Sequence, residues 1–185
     1  MIKHATFLAG VLALSTAACS YQEEADPADP TSQIADVSLA DAVSDAGNLS
    51  TFSSGLEKVG LSETIDGPAA YTLLAPTDEA FNAMGADGAT LMQDDNTAVL
   101  AAVIRNHILP GHVTAESLKQ AIEDEGGPVT LETMGGSEVT VNDTDGALVF
   151  TTEDGASARM TGEEIATRTG VAIPIDALAS GVEQS

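Results

Sequence analysis

The hydrophobic period of this chain changes once, near Pro128, and that change limits the folds open to it. Upstream, apolar residues recur every three or four positions, the spacing that buries one face of a helix. Downstream they alternate with polar residues, the spacing that buries one face of a strand. A chain patterned in this way packs helices against a sheet, so the expected class is α+β, with a helical N-terminal half and a β-rich C-terminal half.

In SLADAVSDAG, Leu39, Ala42 and Val43 share one face, with Ser38 placed to cap the helix and Gly47 to stop it. Leu49, Phe52, Leu56 and Val59 define a second helix, closed by Gly60. Tyr71 to Ala75 is a short apolar run expected as a buried strand that ends at Pro76. Thr77 then caps a helix over TDEAFNAMG, with Phe81 and Met84 pointing inward. Asp78 and Glu79 lie in its first turn, where Asp78 is expected to help satisfy that helix's free amides. A further helix is expected from about Asn96 to Arg105, with Val99, Leu100, Val103 and Ile104 as its apolar positions. After a turn at Pro110 and Gly111, Thr114 caps a last helix through Leu118 and Ile122; its acidic end, Glu123 to Glu125, opposes the helix dipole and should fray.

Beyond Pro128 the segments VTLET, EVTVN, ALVFTT and ASARM are separated by Gly135-Gly136, by Asn142 to Gly146 and by Glu153 to Gly155, which are hairpin signals. A β-meander is expected there. Gly170 to Asp176 supplies a final strand.

Twenty-nine Asp and Glu face six Lys and Arg, and the resulting net charge of -23 repels nucleic-acid phosphates and anionic membrane faces. Such acidity keeps a protein soluble in salty surroundings and draws cationic surfaces. Aromatic residues are only 3% of the chain and tryptophan is absent, so the core must be aliphatic and stacking platforms for bases or sugars are scarce.

The single cysteine, Cys19, excludes an internal disulfide and a Cys-based metal site in the rest of the chain. Its position gives it another role. Residues 1–18 combine basic Lys3, the apolar run Phe7 to Leu14 and a small-residue stretch ending Ala17-Ala18, the make-up of a secretory signal. The apolar run is too short to span a bilayer. TAAC resembles the lipobox of bacterial lipoproteins, which implies lipidation of Cys19 and anchoring by acyl chains, with Ser20 following as in outer-membrane lipoproteins. Simple secretion by cleavage at the same bond is the alternative. Residues 19–33 then form an acidic, Pro-containing tether, residues 34–180 the domain and residues 181–185 a tail.

YTLLAPTDEAFNAM, NHILPGHVTAESL and TGVAIPID, in that order, resemble the signature segments of the fasciclin (FAS1) domain. The resemblance covers about Ile34 to Leu178. It implies a wedge-shaped β-sandwich flanked by helices, in a class associated with cell adhesion and matrix. Asn106 stands where the family usually has Tyr, and Ile173 where a second His is common. By the same resemblance, Glu164 and Ile165 match an Asp-Ile pair proposed in animal relatives to contact integrins. These two and His107 are therefore the candidate partner-binding residues. His107, between an apolar helix and Ile108-Leu109, is also expected to be a buried, hydrogen-bonded ring.

No cofactor and no metal are expected. VNDTDG has Asp143 and Asp145 before Gly146, but Val141 and Thr152 fill the first and twelfth positions of a calcium loop, so it reads as a hairpin turn. Asp94-Asp95-Asn96 reads as a loop and helix cap. No Gly-x-Ser-x-Gly elbow is present, although a hydrolase built on His107 or His112 is conceivable. The expected function is a non-catalytic adhesion or binding module, exported to the outer membrane, periplasm or cell surface, with a protein or matrix polysaccharide as partner. A binder of a small apolar ligand or polymer is the alternative, and it requires a concave apolar pocket. Cys19→Ser should release the protein from the membrane in soluble form, and the intact mass of the native protein should include acyl chains.

Overall fold

The computed structural model describes residues 37–179, so the leader, Cys19 and the tether lie outside the described residues. Helices α1 (Leu39–Asp45), α2 (Ser50–Lys58) and α3 (Ser62–Ile65) precede strand β1 (Tyr71–Pro76). Then come α4 (Asp78–Ala83), α5 (Ala86–Leu91), a 3-10 turn (Asp94–Asn96) and α6 (Thr97–Asn106). Strand β2 (Ile108–Pro110) leads to α7 (Ala115–Glu125), and six strands close the chain: β3 (Val129–Glu132), β4 (Glu138–Thr144), β5 (Ala147–Thr152), β6 (Ser157–Arg159), β7 (Ile165–Ala166) and β8 (Gly170–Ile175).

The expected helices form where their caps place them. Ser38, Thr77 and Thr114 each accept a hydrogen bond from the backbone amide three residues on, and the Ser117 hydroxyl accepts in turn from the Thr114 amide to complete a capping box. α2 buries Phe52 and Leu56 as its spacing requires, and Gly55 lies on the same face. A side chain at Gly55 would press on Ile104 and Leu100, so glycine lets α6 seat directly on α2.

Two sheets result. β3-β4-β5-β6 is the expected meander, with Val139, Val141, Leu148, Phe150 and Ala158 facing inward. The turn between β4 and β5 is tighter than NDTDG suggested: β4 runs on to Thr144, which pairs with Ala147, leaving Asp145-Gly146 as the two-residue turn with φ of 56° and 83°.

The other sheet, β2-β1-β8-β7, departs from a simple helices-then-sheet order. β8 is not the next strand of the meander. It pairs in parallel with β1, Tyr71 opposite Gly170 through Pro76 opposite Ile175. Ile108–Pro110, expected only as the approach to a turn, is a strand because its backbone pairs with Tyr71 to Leu73. The short α3, α5 and β7 carry too few residues for a periodic signal. Val99 is 48% exposed because α6 turns only Leu100, Val103 and Ile104 inward, and Met84 is half-buried rather than in the core.

β1 and β8 divide the interior. Leu73, Ala75 and Ala172 face a core shared with α1, α2 and α6, while Leu74, Val171, Ile173 and Ile175 face a second core shared with α7 and the meander. Ile173 fills the position where relatives often carry a second His, and it is fully buried.

Asp78 serves a helix other than its own. Its carboxylate accepts from the Thr51 amide at 2.7 Å and from the Ser50 hydroxyl at 2.8 Å, capping α2, while Thr77 alone caps α4. Burial opposes ionisation of Asp78, but these hydrogen bonds from Thr51 and Ser50 outweigh it and hold its pKa below the usual value. Its contribution is therefore present at neutral pH and lost as pH falls through that lowered pKa. Asp78→Ala should cost about 1 to 2 kcal/mol in urea denaturation at pH 7, as much as the loss of a helix's own cap.

Candidate functional site

The structure separates the three candidate residues. His107 ends α6 and is completely buried, so it is withdrawn from any surface a partner could touch. Its Nδ1 lies 2.8 Å from the Val103 carbonyl oxygen, which can only accept, and its Nε2 lies 3.0 Å from the Ala179 amide, which can only donate. Only the neutral ring with its proton on Nδ1 satisfies both. Phe52 packs on the ring at 6.3 Å between centroids, and the His107 carbonyl accepts from the Leu74 amide of β1. One residue thus joins α6, β1 and the segment after β8.

Burial lowers the His107 pKa from 6.5 to about 4, opposed in part by the hydrogen bond to Val103. Both ring nitrogens are held by backbone groups, which leaves none to take a proton from a nucleophile. His112 is exposed, with Nε2 3.3 Å from the Thr167 carbonyl oxygen.

Glu164 immediately precedes β7, and Ile165 is the first residue of that strand. Ile165 is half-buried against the first core and paired with Ala172, so it supports the surface more than it offers one. Glu164 reaches across to the start of α7, where its carboxylate accepts from the Ala115 amide at 2.6 Å. That bond fixes the wall of an open groove of about 480 Å³ lined by Ala115, Glu116, Lys119, Met160, Glu163 and Glu164. Three carboxylates and one ammonium line it beside the apolar surface of Ala115 and Met160.

The outer face of the meander carries a second feature that segment reading alone missed. Register places Thr130 beside Thr140, Thr140 beside Thr151 and Thr151 beside Ser157, a row of hydroxyls across four strands. Thr130 meets Thr140 at 3.4 Å and Thr151 meets Ser157 at 3.1 Å. The alternating threonines were visible in the sequence, but only the pairing aligns them.

Among the described residues no group of three or more His, Cys, Asp and Glu comes together to hold a metal ion. The Asp143 carboxylate instead accepts from the Gly146 amide, and exposed Asp94 pairs with Lys58 at 2.6 Å. No helix among the described residues is long and apolar enough to cross a membrane.

An α+β domain with two cores divided by a parallel β1-β8 pair, and a groove lined by charged residues at its side, defines the class. The fasciclin domain family model matches residues 47–179, and the chain belongs to that family. Its fold is similar to that of a FAS1 domain pair from the insect cell adhesion molecule fasciclin I, with a TM-score of 0.68 at 13% identity over 78% of this chain. The match spans 51% of that longer protein. No curated protein matches the chain by sequence.

Replacing His107 with Ala removes a buried ring and strands the Val103 and Ala179 backbone groups, so a loss of roughly 2 to 4 kcal/mol is expected at pH 7.5. A His whose folded pKa is depressed contributes fully above about pH 6.5 and progressively less as pH falls toward 4. The gap between wild type and His107→Ala in urea denaturation should therefore narrow from pH 7.5 to pH 4.5.

Proposed function

We propose that this chain is an exported, non-catalytic fasciclin module that binds a protein or matrix partner at the cell surface. The observation that carries the reading is the groove beside α7, whose wall includes Glu164, the residue matched by resemblance to a partner-contacting position. The family and the adhesion role of the insect protein of like fold support it. Its charged lining suits a polar partner more than a small apolar ligand. The make-up of residues 1–19 supports export and a lipid anchor. The hydroxyl row of the meander supports a second surface, one that offers hydrogen bonds to a polysaccharide.

Glu116 and Glu163 are exposed and make no capping hydrogen bond, but Glu116 lies in the first turn of α7, so reversing its charge opposes the helix dipole and costs a little stability. Cells displaying Glu116→Lys with Glu163→Lys should attach to their substratum roughly tenfold less than cells displaying the wild type, while a variant with Glu163→Lys alone should keep the wild-type melting temperature and still attach less. Undiminished attachment would remove the groove from the binding surface. Loss through Thr140→Ala with Thr151→Ala instead would assign binding to the hydroxyl row.

A further inference from the structure

The segment after β8 is held in an unusual way. Ala177 and Ala179 pack against the second core, and Leu178 between them packs against the first, so three residues cover the seam where the two cores meet. Among the described residues, the hydrogen bond from the Ala179 amide to His107 Nε2 is the only one these three residues make. Asp176, just before them, is anchored independently: its amide donates to the Arg159 carbonyl and its carboxylate accepts from the Arg159 amide. Among the described residues the segment therefore has a fixed hinge at Asp176 and one polar pin at Ala179.

We propose that Ala177–Ala179 is an acid-released latch, closed by neutral His107 and opened when its ring takes a second proton. A proton on Nε2 would point a donor at the Ala179 amide, itself a donor, and turn the pin into a repulsion. The protonated ring would also be buried with no counter-charge. Charged side chains do occur on the elements around it, namely Glu57 and Lys58 on α2, Arg105 on α6 and Asp176 before the latch. Glu57, Arg105 and Asp176 are exposed and Lys58 is engaged with Asp94, and none contributes to the shift of the His107 pKa. Lifting three residues from the seam lets water reach the ring without separating β1 from β8, so the latch yields before the fold does. The direction follows from linkage: the open form binds the proton near the ordinary histidine pKa and the closed form only near 4, so acid favours the open form.

Amide hydrogen exchange followed by NMR on the full chain, with His107 ring nitrogens observed in the same samples, tests this. Between pH 7 and pH 4, after correction for intrinsic exchange, protection of the Ala179 amide should fall on the order of 100-fold. Protection of the Leu73 and Ile173 amides should hold, and the ring should become protonated over the range in which Ala179 is released. In His107→Gln, which can donate and accept but does not titrate, Ala179 protection should no longer depend on pH. The wild-type ring signals decide the matter even if that variant folds poorly. Loss of Ala179 protection in step with Leu73 and Ile173 would show global unfolding and overturn the latch. Release of Ala179 with the ring still neutral, or a protonated ring with Ala179 still protected, would overturn it equally.

Discussion

The parallel pairing of β1 with β8 joins two stretches roughly a hundred residues apart in sequence and supplies the wall on which both cores are built. Both strands are buried on both faces, which is why YTLLA and GVAI read as continuous apolar runs instead of alternating ones. Every later feature is placed from this pair. β2 and β7 add to its edges, α4 springs from the end of β1, and the segment after β8 is delivered to the seam between the cores. A contact of such sequence separation carries a high loop-closure cost and forms only when burial on both faces compensates it.

The acidity of the chain has a local use as well as a global one. Asp66 accepts from the Ala40 amide of α1, Asp78 caps α2 and Glu164 accepts from the first amide of α7. In each case a carboxylate from elsewhere in the sequence meets the positive end of a helix. With twenty-nine acids and six bases, ion pairs cannot be the main destination of these carboxylates. For these three the partner is a backbone amide. Glu164 has two structural effects at once, because the bond that steadies α7 also sets the wall of the groove.

Much of this was legible in the order of residues. Caps at Ser38, Thr77 and Thr114 depend on a side chain and an amide three residues away, so local sequence is enough to find them. The meander was legible because alternation and hairpin turns are also local. The burial of His107 followed from its apolar neighbours, but its hydrogen-bond partner, 72 residues away, did not. Asp78 opens α4 yet caps α2 for the same reason: its carboxylate lies near two helix starts, and only packing brings α2 closer to it.

What the sequence determined by itself is therefore everything fixed by periods of two and 3.6 and by contacts within a turn: helices α1, α2, α4, α6 and α7, the meander, the acidic surface and the signature segments of the family. Tertiary structure decided which strands share a sheet, that Ile108–Leu109 is a strand, that Glu164 lines a groove while His107 is sealed inside, and that four hydroxyls form a row. The physical reason is range. A helix cap or a hairpin turn is satisfied by neighbours in the chain, whereas a parallel strand pair, a distant carboxylate cap and a buried ring bridging two segments exist only once burial of apolar surface has brought remote residues together.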